Sequence, residues 1–224
     1  MAHQPRRLGE PLTGHIDGVS SVAFSSDSTS LAISYSDGTT LWDLSDPTRP
    51  RRFGQPLTGH TGSVESLAFS SDGNTLATGS IDGTAILWDL SDPALPRRLG
   101  QPLTGHTGGV LSVAFSSNGD TLATASNDNT VILWDLTDLA RPRRLGQPLT
   151  GHTSVVSSVA FAPDGYALAT GSNDGTALLW NLTGLNDLRY HVTERACAIT
   201  SRGLNRTEWT RYIQALPYQD TCPG

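Results

Sequence analysis

A histidine, a threonine, an aspartate and a tryptophan recur at constant offsets in this sequence. The aspartate follows the histidine by 22 residues, and the threonine lies four residues before the aspartate. The three complete sets are His60, Thr78, Asp82 and Trp88; His106, Thr124, Asp128 and Trp134; and His152, Thr170, Asp174 and Trp180. A hydroxyl, an imidazole and a carboxylate are the components of a nucleophilic triad for acyl transfer. Because the same set recurs from copy to copy, we interpret it as a repeated structural element and not as a catalytic site.

The first copy of this set is incomplete. It contains His15, Asp37 and Trp42, but Ile33 stands where the other copies have threonine. The stretch from Asp37 to Trp42 is also one residue shorter than in the other copies. A one-residue deletion within a strand reverses the face of each following side chain unless a bulge absorbs it. The sequence therefore predicts that the first copy is the least regular, with His15 and Asp37 less well satisfied.

These sets belong to a repeat of 45 to 46 residues, marked by Gly-His pairs at 14–15, 59–60, 105–106 and 151–152. Within residues 59–104, the segments VESLAFS, TLATGS, AILWDL and RRLGQPLT have the composition of short strands. Asp-Gly turns or a proline-containing loop separate them. Four short antiparallel strands in each repeat predict an all-β protein, a β-propeller of four four-stranded blades.

The repeated motifs resemble those of the WD-repeat (WD40-type) family. The matching features are the Gly-His pair, the Asp-Gly turn (Asp-Asn in the third copy) and Trp-Asp at 42–43, 88–89 and 134–135; the fourth copy has Trp180-Asn181 instead. The resemblance covers residues 5–182. It implies that the histidine, threonine, aspartate and tryptophan of each copy form a buried hydrogen-bonded network. The donors and acceptors of these side chains are compatible with such a network.

The repeat boundaries divide the chain into a propeller, residues 1–182, and a short helical C-terminal tail, residues 183–224. The propeller units are 14–58, 59–104, 105–150 and 151–182. The last unit lacks a fourth strand, and residues 6–13 match the sequence of that strand. The resemblance to WD-repeat propellers implies that residues 6–13 complete the last unit. A closed four-blade monomer, a piece of a longer propeller and a homodimer forming an eight-bladed ring all remain open.

The tail has apolar residues at helical spacing and a capping-box pattern at Asn205 and Glu208. It resembles the ending of actinobacterial proteins in which a WD-repeat propeller follows a signalling NTPase or kinase-like module. Cys197 and Cys222 both lie in the tail. We expect free thiols in a reducing cytoplasm, with a tail disulfide as the alternative.

Composition and motif content argue against several classes of function. The net charge of −6, with no clustered cationic face, argues against nucleic-acid binding. No apolar run is long enough to cross a membrane, and the N-terminus does not resemble a secretory signal. No phosphate-binding loop, metal-ligand spacing or paired carboxylates stand out. We therefore expect a cytoplasmic protein that has no cofactor or metal and is not an enzyme.

The copies differ from one another mainly in two places. These are the segment after Gly-His and the residue before the turn aspartate. The resemblance places both at the rim around the mouth of the central channel, where WD-repeat proteins bind partners. The candidate contact residues are Ser20, Ser36, Glu65, Ile81, Leu111, Asn127, Val155, Ser157 and Asn173. The sequence thus predicts a protein-interaction scaffold of unknown partner; the alternative is a regulatory segment of a signalling NTPase or kinase.

Overall fold

The computed structural model describes residue 4, residues 6–13 and residues 18–184 of the 224-residue chain. This part of the chain folds into four antiparallel β-sheets, which we call blades 1 to 4. In each blade, strands that follow one another in sequence lie side by side. The all-β prediction and the four-blade propeller prediction are confirmed. The predicted helices and both cysteines of the tail lie outside the described residues.

The strand bounds follow the repeat. Blade 1 contains β1 (Ser21–Phe24), β2 (Ser30–Tyr35), β3 (Gly38–Asp43) and β4 (Arg51–Leu57). Blade 2 contains β5 (Val64–Phe69), β6 (Thr75–Ser80), β7 (Ala85–Asp89) and β8 (Arg97–Leu103). Blade 3 contains β9 (Val110–Phe115), β10 (Thr121–Ser126), β11 (Val131–Asp135) and β12 (Arg143–Arg144). Blade 4 contains β13 (Val156–Phe161), β14 (Ala167–Ser172) and β15 (Ala177–Asn181).

Blade 4 differs from the prediction because it has three strands. β15 pairs with β14, and residues 6–13 form no strand in this structure. Residues 6–13 are therefore not paired with the last strand of the same chain in this structure. Residues 6–13 instead lie against blade 1, where Leu12 packs against the cluster of Leu31, Ile33, Tyr35 and Trp42.

The second strand of a blade shows why small residues recur there. Every residue of β6 and of β10 is buried, since both faces of these strands are covered by neighbouring blades. Ala77 and Ala123 are fully buried at the blade contacts. A strand buried on both faces accepts a continuous run of small and apolar residues instead of a polar alternation.

The hydrophobic core is distributed between the blades. We call the side of a blade that carries the tryptophan its front face, and the opposite side its back face. At each contact, the leucine before Trp-Asp on a back face packs against first-strand residues on the next front face: Leu41 with Leu67, Leu87 with Val113, and Leu133 with Val159. Burial of these apolar groups holds adjacent blades together.

Blade 1 is more regular than the sequence predicts. Leu31 pairs with Trp42 in β2–β3, and Leu76 pairs with Trp88 in β6–β7, so the two blades share the same register. The missing residue is removed from the turn, because Tyr35 pairs directly with Gly38 across Ser36 and Asp37. The deletion therefore does not shift the register of β2 and β3, so the irregularity expected for the first copy is absent from this strand pair.

Candidate functional site

In blade 2, the predicted set forms one connected hydrogen-bond network. The His60 Nδ1 atom lies 3.0 Å from the Asp82 Oδ2 atom, and the His60 Nε2 atom lies 2.8 Å from the Thr78 hydroxyl oxygen. The Trp88 indole N–H donates to the same hydroxyl over 3.1 Å. The network therefore links the Gly-His pair to β6, β7 and the turn between them.

The partners define the direction of these bonds. A carboxylate only accepts hydrogen bonds, so the His60 Nδ1–H donates to Asp82. In the neutral imidazole Nε2 is then an acceptor, and the Thr78 hydroxyl donates to it while accepting the indole N–H. Along this series of hydrogen bonds, from the Trp88 indole to the Asp82 carboxylate, each donor thus meets an acceptor.

Blades 3 and 4 repeat this geometry within a few tenths of an ångström. The distance from the histidine Nδ1 to the aspartate Oδ2 is 2.9 Å for His106 and Asp128 and also for His152 and Asp174. Both Nε2 atoms lie 2.8 Å from a threonine hydroxyl, and both indole N–H groups donate to that hydroxyl over 3.0 Å. In each of the three complete sets, the structure therefore brings the four predicted residues into one network.

In blade 1 a different residue accepts the hydrogen bond from the indole N–H. Its Trp42 indole N–H donates to Thr40 over 3.2 Å. Thr40 is paired across the strands with Ile33, in the same way that Ile86 is paired with Thr78 in blade 2. The hydroxyl has therefore changed places with the aliphatic side chain of the opposite strand. Asp37 is exposed, and His15 lies outside the described residues.

A second threonine in each complete network was not identified from the sequence. The Thr84 hydroxyl and amide both donate to Asp82, over 2.7 and 2.9 Å, and the hydroxyl lies 3.3 Å from the His60 Nδ1 atom. Thr130 and Thr176 make the same contacts to Asp128 and Asp174. The available signal was the recurrence of a threonine two residues after each turn aspartate, a spacing that side chain-to-backbone turns favour.

These hydrogen bonds lower the pKa of all three network aspartates. Burial acts to raise the pKa of Asp82 and of Asp128, but the threonine hydroxyl and the backbone amides outweigh it. For Asp174 the largest influence is the Thr176 hydroxyl, followed by the Thr153 amide, and both lower the pKa. Donors that stabilise the carboxylate keep it charged.

The network is built for structure and not for nucleophilic attack. Thr78, Thr124 and Thr170 are buried, and each hydroxyl already accepts the indole N–H. A nucleophile has to reach the substrate, so geometry as well as composition excludes these hydroxyls. In the part of the chain that the structure describes, no three His, Cys, Asp or Glu side chains are grouped to hold a metal ion.

Backbone hydrogen bonds join the two variable segments in blades 2 to 4. The Ile81 amide donates to the Ser63 carbonyl over 3.0 Å, and the Asn173 amide donates to the Val155 carbonyl over 2.9 Å. Asn127 donates to Gly109 in the same way. In blades 2 to 4 the residue before the turn aspartate is thus joined to the segment after Gly-His, and both belong to the same edge of the blade.

Three of the candidate contact residues are at β-bulges. Glu65, Leu111 and Ser157 each lie where the pairing of the first and second strands shifts by one residue. A bulge leaves one residue outside the regular ladder and changes the direction of its side chain. The sequence comparison had selected these positions because they vary, and the structure adds that they share one backbone irregularity.

The candidate contact residues are accessible. Ser20, Ser36, Ile81, Asn127, Ser157 and Asn173 are exposed, and Glu65, Leu111 and Val155 are partly buried. The edges of neighbouring blades also touch: a Cβ atom on Gly109 of blade 3 would lie 2.9 Å from the Cα atom of Ile81 in blade 2. We call this group of nine residues the rim.

Comparison with protein families is consistent with the geometry. The family described as WD domain, G-beta repeat matches residues 6–43, 51–89, 97–135 and 143–181, which together are more than half of the chain. The chain belongs to this WD-repeat family. Each matched WD repeat begins at the outer-strand sequence and ends at Trp-Asp or, in the last copy, Trp180-Asn181. No curated protein matches this WD-repeat chain.

Within the described residues of this WD-repeat protein, no helix has the length and apolar character needed to span a membrane. WD-repeat domains generally mediate protein–protein interactions, and the family is typically non-enzymatic.

Proposed function

We propose that this protein is a non-catalytic scaffold that binds another protein through the rim. The observation that carries the proposal is the placement of variable residues on a constant frame. The frame of each complete blade is the same hydrogen-bonded network, whereas the residues beside it change from copy to copy. Binding residues are often found on connecting segments that a rigid scaffold positions.

The chemistry of the rim favours a protein partner. It combines the exposed Ile81 and the partly buried Leu111 and Val155 with serine and asparagine side chains. Exposed apolar groups surrounded by polar residues are a feature of protein-interaction sites. Glu65 is the one ionisable side chain among the nine rim residues, and catalysis in the channel would require several converging ionisable groups.

The test is affinity capture from a lysate of the source organism, followed by quantitative mass spectrometry. The double variant Ile81→Asp, Leu111→Asp should lose the partner that the wild-type protein captures. Leu95→Asp is the matched control, since Leu95 is an exposed leucine in the loop between β7 and β8 of blade 2. The control should capture the partner normally.

Both variants must have the melting temperature of the wild-type protein to within a few degrees for the comparison to report binding. Equal capture by the rim variant and the control would contradict the assignment of the rim. The alternative function, as a regulatory segment of a signalling NTPase or kinase, depends on the tail, which lies outside the described residues. It stays a prediction.

A further inference from the structure

Within residues 18–184, no element packs against the back face of blade 4. Leu179 of β15 is 81% exposed, whereas its counterparts Leu87 and Leu133 are 1% and 2% exposed. These counterparts are buried because the next blade packs against them. The sequence of β15 thus preserves the apolar contact residue of an internal blade, although no described residue covers it.

The front face of blade 1 shows the complementary exposure. Val22 of β1 is 58% exposed, whereas its counterparts Leu67 and Val113 are 7% and 5% exposed. Val19 and Phe24 are also exposed. The counterparts of Val19 in blades 2 to 4 are Val64, Val110 and Val156. Each of them is buried against the preceding blade.

The outer strands also differ between blades 1 and 4. Blade 4 has three strands, and residues 6–13 lie on blade 1 without forming a strand. Their position relative to blade 1 is that of β4 relative to blade 2. A Cβ atom on Gly9 would lie 3.3 Å from the Thr48 carbonyl oxygen, and one on Gly54 would lie 2.8 Å from the Ala94 carbonyl oxygen. Residues 6–13 are thus placed as the outer strand of a preceding blade.

We propose that the back face of blade 4 binds the front face of blade 1 in a second copy of the chain. The same contact made twice gives a ring of eight blades from two copies. Residues 6–13 of each copy then supply the fourth strand of blade 4 in the other copy. Contacts between two different faces close into a ring when the rotation permits.

Two copies of the four described blades together provide eight blades. Whole copies of four blades form rings of four, eight or more blades. The four-blade ring is left open in this structure, because blade 4 and residues 6–13 are not paired. Propellers typically have four to eight blades, so a ring of two copies with eight blades lies within that range.

The contact between copies repeats contacts already present inside the chain. The Val113 amide donates to the Ser66 hydroxyl over 3.1 Å, and the Val159 amide donates to the Ser112 hydroxyl over 3.2 Å. Ser158 and Val22 are the corresponding pair between copies. Leu179 takes the place that Leu133 has beside Val159, and it packs beside Val22 of the other copy. The front face of blade 1 in the second copy therefore offers the same kinds of contact residues that the front faces of blades 3 and 4 offer inside the chain.

The first measurement is the mass of the wild-type chain in solution by light scattering after size-exclusion chromatography. We expect twice the chain mass of 23.8 kDa. Leu179→Arg and Val22→Arg should each reduce the mass to that of one chain, because either change places a charge in both contacts. Leu95→Arg, which alters an exposed leucine away from both faces, should leave the mass of two chains.

The second measurement tests whether the contact joins two different faces. An equimolar mixture of the Leu179→Arg and Val22→Arg variants retains one intact contact, between the unaltered back face of one variant and the unaltered front face of the other. We expect the mixture to have the mass of two chains at concentrations where each variant alone has the mass of one. Circular dichroism should show that both variants keep the wild-type strand content.

Three results would overturn the proposal. A wild-type mass of one chain over the whole accessible concentration range means that the ring closes within the chain or that other blades cover the faces. A mass that grows beyond two chains means an open head-to-tail assembly. A mixture that stays at the mass of one chain means that the two faces do not bind one another.

Discussion

At the scale of single residues, the structure shows how a buried indole N–H keeps its acceptor when a sequence changes. In blades 2 to 4 the acceptor is a threonine of the second strand, and in blade 1 it is Thr40 of the third strand. The two positions face each other across the strand pair, so exchanging the hydroxyl and the aliphatic side chain keeps both contacts. Buried polar groups without a partner are rare because the lost hydrogen bonds to water are not replaced.

This exchange leads to a prediction for Thr124. In Thr124→Val the Trp134 indole N–H and the His106 Nε2 atom both lose a buried partner. We expect the free energy of unfolding to fall by about 1–3 kcal/mol for each group left without a partner. Urea denaturation followed by tryptophan fluorescence measures the change.

The matched control reproduces the arrangement of blade 1. The double variant Thr124→Ile, Ile132→Thr should regain part of the loss seen for Thr124→Ile alone, because the new hydroxyl at position 132 accepts the indole N–H. Equal stability of the double variant and of Thr124→Ile would contradict this interpretation.

Much of the network was predictable from the sequence, because a set of polar residues that recurs in register is visible without any structure. Thr40 was not predictable. Its role depends on the strand register, and that register depends on whether the missing residue is removed from the strand or from the turn. Only backbone pairing distinguishes these two cases.

At the scale of elements, the turns tolerate changes that strands do not. The turn between β2 and β3 accommodates the deletion in blade 1, and the strands on either side keep their register. A turn has few pairing constraints, whereas a one-residue slip within a strand moves every following side chain to the wrong face. The first copy is therefore altered where an alteration has the smallest structural consequence.

The turn between β1 and β2 contains a residue whose replacement should stabilise the folded protein. Ser28 has a φ of +61°, whereas Gly73, Gly119 and Gly165 hold the corresponding positions with φ between +74° and +78°. A residue with a Cβ atom is disfavoured in this left-handed region by about 1–2 kcal/mol, partly offset by the greater freedom of glycine in the unfolded chain. We expect Ser28→Gly to raise the free energy of unfolding by about 0.5–1 kcal/mol.

The reciprocal variant is the control. Gly73→Ser introduces the same strain into blade 2 and places a Cβ atom 3.3 Å from the Ser26 hydroxyl oxygen. It should lower the denaturation midpoint where Ser28→Gly raises it. A shift of both variants in the same direction would show that the sign of φ does not determine the effect.

At the scale of the whole molecule, stability is the sum of similar blades and of the contacts between neighbours. The three complete networks add a shared dependence on pH, because Asp82, Asp128 and Asp174 all have a lowered pKa in the folded chain. An unfolded aspartate has a pKa of about 3.9. As the pH falls toward and below this value, the unfolded chain binds protons that the folded chain does not.

We therefore expect the stability from these carboxylates to be fully present above about pH 5 and to be lost progressively as the pH falls. The variant Asp82→Asn, Asp128→Asn should be less stable at pH 7 and should lose less stability between pH 6 and pH 3 than the wild-type protein. Melting temperatures at several pH values measure both effects. An equally steep loss for the double variant would contradict the prediction.

The sequence by itself determined the fold class, the blade repeat and the histidine, threonine, aspartate and tryptophan of the three complete networks, because each of these is a local pattern that recurs in register. Only the tertiary structure decided where the deletion is absorbed, which hydroxyl serves Trp42 and whether the last blade is completed by residues 6–13. Each of these depends on contacts between segments that are distant in sequence. Residues 6–13 have the sequence of an outer strand, but whether they pair depends on a sheet edge within reach, and a sequence repeat carries no information about that distance.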